Sequence, residues 1–328
     1  MKLVVSLILL LLMFFKADAQ THAEEHYKYD RIYNTMLGYY NRGLYHKAVI
    51  YPDSLEGNKY VDAGSYYFFA RVYSLSNEFD QTLSNLEKAV KGGITKDQIE
   101  KMYDLDGFRE SNMHIIYEMN YDKWHQEYLD LVSSIAFDSV YIKEIQKISQ
   151  EYSNNLKIRR ADGDEIIEVE DSLRFYSTTK RLDSLSFYAM VSLTLDKGFS
   201  TYRMIGKEYY KYTRYLRYNM PKDYDENCED WQKIKAMIFA EMEKGTIYPF
   251  YYAAIEDYMR RGTKKPQLYG TITSRYNSFI SISGKSLQFE NPEELNVRRR
   301  SVGLCSIQLK MWSEARDLPL SLKEVQFK

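Results

Sequence analysis

The chain predicts a mainly α protein: antiparallel helical hairpins, followed by a second helical domain with a small β-hairpin near its C-terminus. Three observations lead there. Gly92-Gly93, Gly198, Gly245 and Gly262 each close ten or more residues of helix-like pattern, where a left-handed C-terminal cap belongs. The apolar spacing between them is helical: Tyr141, Ile145, Ile148 and Tyr152 run at i, i+4, i+7 and i+11, and Trp231, Ile234, Ile238 and Met242 nearly repeat it. Only 6 prolines in 328 residues interrupt these segments.

The first nineteen residues read as a signal peptide. Lys2 gives a positive start, Leu3 to Phe15 is apolar apart from Ser6, and Ala17-Asp18-Ala19 places small residues where a signal peptidase cuts, before Gln20. A thirteen-residue helix spans about 20 Å, short of a hydrocarbon core of about 30 Å, so a permanent membrane span is the weaker reading. The remaining chain is expected to be exported, periplasmic or extracellular, without a membrane span after signal removal.

Residues 20–135 carry a repeat. Tyr39 and Tyr45 recur 34 residues later as Tyr73 and Phe79, and Ala48 is matched by Thr82. In the second copy Tyr66, Phe69, Ala70 and Tyr73 alternate large and small along one helix, and Phe79, Thr82, Leu86 and Ala89 do so along the next. Small residues let two antiparallel helices approach, and aromatic residues plug the gaps between hairpins. On these residues the segment resembles a tetratricopeptide repeat, with Ala70 for the usual Gly and Thr82 for the usual Ala. Pro52 interrupts the first copy. Tyr39, Tyr66, Ala70, Tyr73, Phe79, Leu86 and Ala89 are the expected repeat core. Thr95 with Gln98 forms a capping box for a further helix, and His114 to Tyr128 supplies another to complete the stack. The resemblance implies a concave surface for a protein or peptide partner.

A second domain is expected over 138–310, with 311–328 as a tail. It contains a polar loop at Arg159 to Glu165. Thr271 to Phe289 mixes β-branched and aromatic residues with Ser, Asn and Gly, as in a hairpin turning near Ser283-Gly284. Asn291-Pro292-Glu293-Glu294 then opens a last helix. Ala254-Ile255-Glu256-Asp257, Lys265-Pro266-Gln267-Leu268-Tyr269-Gly270-Thr271, Asn291-Pro292-Glu293, Arg298-Arg299 and Val302-Gly303-Leu304, with Gly198-Phe199 and Ile205-Gly206 between, resemble an uncharacterised family of bacterial exported domains that often follow tetratricopeptide-like segments. Three places depart from that family's pattern: Gln150-Glu151-Tyr152, Tyr218-Asn219, and Tyr258 after Asp257. The resemblance therefore implies a degenerate, non-catalytic copy.

Composition narrows the chemistry. The net charge is −1, Lys and Arg are scattered among Asp and Glu, and Arg298-Arg299-Arg300 is too short for a nucleic-acid face. Tyrosine numbers 32. Such rings line sugar or peptide clefts, and more often are knobs between packed helices. Cys228 and Cys305 are either a bridge worth about 4 kcal/mol in the chain-entropy model or two separate thiols. All five histidines precede residue 126, so the second domain lacks an imidazole base or ligand. His22-Ala23-Glu24-Glu25-His26 fits an inverted zinc-protease string but lies close to the cleavage point, where termini fray. Asp223 to Asn227 begins like a calcium loop, but Cys228 replaces its glycine and Ile234 its bidentate glutamate. Asp162 to Glu165 has no closing ligand. No metal or cofactor is expected.

Glu256 and Asp257 remain. Each has an arginine four residues on, Arg260 and Arg261, which is ordinary surface pairing. Alternatively Asp257 joins Gln267, Tyr269, Gly270 and Thr271 in a polar cluster that binds a small ligand or supports hydrolase-like chemistry. The expectation is an exported, non-catalytic interaction protein, with that cluster as the runner-up site.

Overall fold

A computed structural model describes residues 22–161, 169–221, 224–225, 227–262, 265–272, 288–316 and 326. The signal segment, residues 162–165 of the expected polar loop and the turn of the expected β-hairpin lie outside the described residues, while Arg159 to Ala161, expected in that loop, instead continue the helix Ser139–Ala161. The chain is mainly helical. The β-hairpin is not borne out: among the described residues the only β pairing is one bridge, Gln267 with Phe289, and it is parallel rather than antiparallel.

Chain packing divides the protein into two units. The first comprises residues 23–136 together with 299–316, and the second spans Phe137–Arg298. The division thus falls at Arg298/Arg299, whereas the sequence reading kept residues up to 310 in the second domain.

In the first unit, α1 covers residues 22–40 and α2 is a single turn, Tyr45–Ala48. A 3-10 turn at Pro52–Leu55 follows, with the proline at its start, where its missing N–H costs nothing. Helices α3 (Ala63–Leu75) and α4 (Phe79–Lys91) form an antiparallel pair joined through Asn77, which takes φ 61°, a left-handed value that asparagine tolerates. Asp62 caps α3 by accepting from the Ser65 N–H at 2.8 Å. Ala70 and Ala89 are fully buried in the close approach, and Leu86 and Tyr73 are buried beside them.

The Thr95–Gln98 capping box is present and opens α5 (Lys96–Glu100). Beyond it come α6 (Asp106–Arg109) and α7 (Asn112–Ser134), which lies against α4 and contributes Tyr117, Tyr121 and Trp124 to a core shared with Leu86, Val90, Leu105 and Phe108. Phe79 packs half-buried on that core. Helix α14 (Leu295–Ser301) crosses the division at Arg298/Arg299, and the segment after it, with α15 (Ile307–Ser313), returns to α1. The Trp312 indole lies against Gly38, where no side chain would fit, and the Arg42 guanidinium stands over its ring, 4.3 Å from the centre. Asp30 accepts from the Cys305 N–H at 2.7 Å, and Asn34 accepts from the Ser313 hydroxyl at 2.9 Å. Tyr39 stands edge-on to Trp312 and stacks on Tyr51, so this repeat position meets the C-terminal helix as well as its own copy.

The second unit is built of α8 (Ser139–Ala161), α9 (Val169–Lys197), the short α10 (Tyr202–Ile205), α11 (Glu208–Tyr218), α12 (Glu229–Glu243) and α13 (Pro249–Gly262). Of the two stripes read from sequence, Trp231, Ile234, Ile238 and Met242 are all buried, as are Tyr141 and Ile145. Ile148 and Tyr152 are half-buried. Several tyrosines here are core bodies: Tyr212 shares a 2.8 Å hydrogen bond with Thr194, Tyr141 donates to the Gly198 carbonyl, and the buried Tyr209 hydroxyl finds no partner among the described residues. Gly93, Gly198 and Gly245 all follow helices with positive φ, as their capping role requires.

Candidate functional site

Asp257 and the 265–272 segment do converge, and the manner of their convergence limits what they can do. Asp257 sits in the C-terminal half of α13, a helix buried nearly all round: Tyr252, Ala253, Ala254, Ile255, Glu256 and Met259 are buried too. Its carboxylate is fully inaccessible. Oδ1 accepts from the Leu268 and Tyr269 N–H groups at 2.7 and 3.0 Å, and Oδ2 from the Thr271 N–H and hydroxyl at 2.7 and 2.8 Å. Burial raises its pKa, and the four donors oppose that shift.

Asp257 is therefore not the surface carboxylate that ordinary helix-face pairing requires. Asp257 is an interior anchor, and its acceptor sites are filled by the loop it anchors. The helical spacing misleads because i, i+4 geometry gives proximity along one face but not whether that face meets water.

The rest of the loop is fixed in the same way. Gln267 bridges to the chain near Phe289: its N–H donates to the Gln288 carbonyl, its carbonyl accepts from the Glu290 N–H, and its side-chain oxygen accepts from the Ile272 N–H, each at 2.9 Å. Its amide nitrogen is buried and finds no acceptor among the described residues. Gly270 takes φ 64°, turning the chain so that Thr271 returns to Asp257. Tyr269 is buried against Tyr252, and burial pushes its phenol up to about 12. Arg260 donates to the Pro266 carbonyl at 2.6 Å and pairs with Glu290, while Arg298 donates to the Leu268 carbonyl at 2.9 Å. The predicted side chains act mainly on backbone. A general base needs a lone pair within reach of substrate, and Asp257 offers neither access nor a vacant site.

A small pocket of about 180 Å³ adjoins this loop, reached by Leu268 alone of its residues. Its walls are Trp231, Gln232, Lys235, Glu256 and Arg260. Glu256 is buried and pairs across helices with Lys235 at 2.7 Å, a partner that sequence spacing does not reveal.

In the first unit a groove of about 170 Å³ runs between the Pro52–Leu55 turn and the α3–α4 pair. Tyr66, Phe69 and Tyr73 form its aromatic side; Asp53, Glu56 and Lys88 stand at its polar side. Tyr66 is half-buried and Tyr73 is buried, with its hydroxyl donating to Asp53 at 2.5 Å. Three residues of the expected repeat, Tyr66, Phe69 and Tyr73, thus line the groove, and of these Tyr66 alone is partly exposed.

Sequence reasoning missed a buried polar network beneath that unit. Arg71 donates from Nε to Asp104 at 2.8 Å and also contacts the Tyr40 hydroxyl, which itself donates to Asp104. Asp104 is buried, and the guanidinium lies 5.2 Å from the Tyr40 ring centre and 5.6 Å from that of Phe68. Its one sequence signal is an arginine set within the aromatic run from Tyr66 to Tyr73.

The remaining candidates resolve simply. His26 is not in a frayed end: it is buried in α1, Nδ1 lies 2.6 Å from the Gly303 carbonyl, and burial lowers its pKa, opposed by Asp30 and that hydrogen bond. With a carbonyl as partner, Nδ1 carries the proton. Among the described residues no group of His, Cys, Asp and Glu is arranged to hold a metal, and no helix is long and apolar enough to cross a membrane. Cys228 and Cys305 are free thiols, and burial pushes Cys305 up to about 12, far from nucleophilic use.

No protein-family model, no curated protein and no solved structure matches the chain.

Proposed function

We propose that this is an exported, non-catalytic interaction protein whose first unit works as a tetratricopeptide-like array and receives a peptide segment of a protein partner. The second unit, on this reading, is a degenerate member of the exported-domain family its motifs resemble. The observation that supports it best is the groove beside α3 and α4, where the half-buried Tyr66 ring is backed by the buried repeat residues Phe69 and Tyr73. Tyrosine is enriched among the residues that anchor protein and peptide partners. Export rests on the apolar run and the Ala17-x-Ala19 cleavage point; a mass measurement on protein from the exported fraction should give a chain starting at Gln20.

Selection of peptides from a random displayed library on the full chain tests the array. Selected peptides should lose at least about tenfold in affinity with Tyr66→Ala, the loss of one anchor worth about 1.4 kcal/mol. Asn85→Trp, which fills the groove from α4, should do the same. If no peptide is recovered, or binding ignores both substitutions, the proposal fails.

A second reading, small-ligand binding in the second unit, is favoured by the pocket beside Leu268, where the Lys235–Glu256 pair presents both charges. Hydrolase-like chemistry at Asp257 has no such support.

A further inference from the structure

We infer that the groove takes a lysine or arginine side chain of an extended segment of the partner protein, in the place that Lys88 now occupies. This rests on reading the first unit as a peptide-binding array and specifies the chemistry of what enters it.

The structure already displays a cation in that place. The Lys88 ammonium lies 5.2 Å from the centre of the Tyr66 ring and 3.0 Å from the Glu56 carboxylate. That is a cation held by an aromatic face and an anion together. Both partners are open to water, Lys88 at 38% and Glu56 at 68% side-chain exposure, so the pair is screened and readily exchanged. Lysine has a long, freely rotating stem and can leave without disturbing α4.

Charge favours an incoming cation over an anion. Asp53 and Glu56 line the groove, and Glu78 lies near enough to act with them on the Tyr73 hydroxyl, whose pKa is raised chiefly by burial and then by these carboxylates. Lys88 is the one basic residue in the lining. Two carboxylates, Asp53 and Glu56, against the single Lys88 ammonium leave the lining with an excess of negative charge. An acidic peptide or a free C-terminal carboxylate would meet repulsion there. Gln81, Ser84 and Asn85 along α4 present donors and acceptors suited to an extended main chain.

The decisive test is Lys88→Ala, because the two ways of using a lysine give opposite signs. The probes are three fluorescein-labelled pentapeptides, Ser-Leu-X-Leu-Ser, with Lys, Glu or norleucine at X, measured by anisotropy against the full chain. The lysine peptide should bind at least about fivefold more tightly than the norleucine peptide, and the glutamate peptide more weakly than either. Glu56→Gln and Asp53→Asn should each weaken the lysine peptide about two- to fivefold and leave the norleucine peptide unchanged. Lys88→Ala should tighten the lysine peptide about two- to fivefold, since the competing ammonium is gone. All three residues are at the surface or half-exposed, so the variants should fold; a melt within about 3 °C of the parent verifies it.

Weakening of the lysine peptide by Lys88→Ala, or preference for the glutamate peptide, overturns the inference. If all three peptides bind alike and lose affinity with Tyr66→Ala, the array reading stands and the cation inference falls. If none binds, both fall.

Discussion

Replacing Asp257 by Asn separates an anchor from a working carboxylate. Asparagine is nearly isosteric, keeps one oxygen to accept from Leu268 and Tyr269, and sets an NH2 group against the Thr271 N–H and hydroxyl. Two charge-assisted bonds are lost at about 1.5–3 kcal/mol each. Removing a charge from a fully buried position returns part of that, leaving a net loss of about 3 kcal/mol. Amide hydrogen exchange followed across 265–272 is the fitting assay, since three of the four donors are the amides themselves. Their exchange should speed up by about 100-fold, with the melting transition of the second unit lowered. Thr271→Val, which removes only the hydroxyl, should cost about 1 kcal/mol. A residue kept for function under strain behaves oppositely, and its neutral replacement commonly stabilises. If exchange at Leu268, Tyr269 and Thr271 changes less than about threefold and the melt holds or rises, the anchor account is wrong.

Other expectations concern the first unit. Tyr73→Ala should cost about 3–5 kcal/mol in denaturant melts through the cavity it leaves, whereas Tyr73→Phe should cost about 1 kcal/mol for the bond to Asp53. Gly38→Ala should expel the Trp312 indole, seen as a red shift of tryptophan emission with a loss of about 1–3 kcal/mol. Buried His26 has its pKa depressed from 6.5, so its contribution is whole above about pH 6.5 and is lost as pH falls from there toward the depressed value. His26→Asn, whose amide nitrogen can replace Nδ1 at the Gly303 carbonyl, should flatten that part of the stability profile; an unchanged slope would remove His26 as its source.

What was legible in the sequence is what local spacing encodes. The stripes Tyr141 to Tyr152 and Trp231 to Met242 fall on helices because 3.6-residue periodicity survives any tertiary arrangement. The Thr95 cap and the glycine ends were legible for the same reason. The Asp257 cluster was found through its motif, yet its role was not, since Tyr252 to Asp257 are all buried and a helical wheel cannot tell which face of α13 meets water. Partners at long separation left no trace: Arg71 with Asp104, Lys235 with Glu256, and His26 with Gly303 share no period. The expected repeat was legible as a pattern, but the first copy ends in one helical turn before Pro52, and its Tyr39 is covered by Trp312 from the far end of the chain.

That last contact bears on how the first unit assembles. The whole of Phe137–Arg298 separates its two pieces in sequence. Closing a flexible loop of that length costs about 4–5 kcal/mol by chain statistics, and less once the intervening unit has folded and shortened the effective path. Against this stand the Asp30–Cys305, Asn34–Ser313 and His26–Gly303 hydrogen bonds and the buried face of α15, with Ile307 and Met311 inaccessible. The N-terminal piece therefore carries a face on α1 that is covered only when the C-terminal segment arrives. Gly303 makes the fit strict: it takes φ 82°, and a Cβ there would stand 2.8 Å from the Ala23 carbonyl. The groove, by contrast, is lined entirely from residues 52–88 and draws nothing from that segment. Stability of the unit and the chemistry of its groove thus depend on different parts of the chain, so substitutions around Trp312 should shift the melt while leaving peptide affinity at Tyr66 intact.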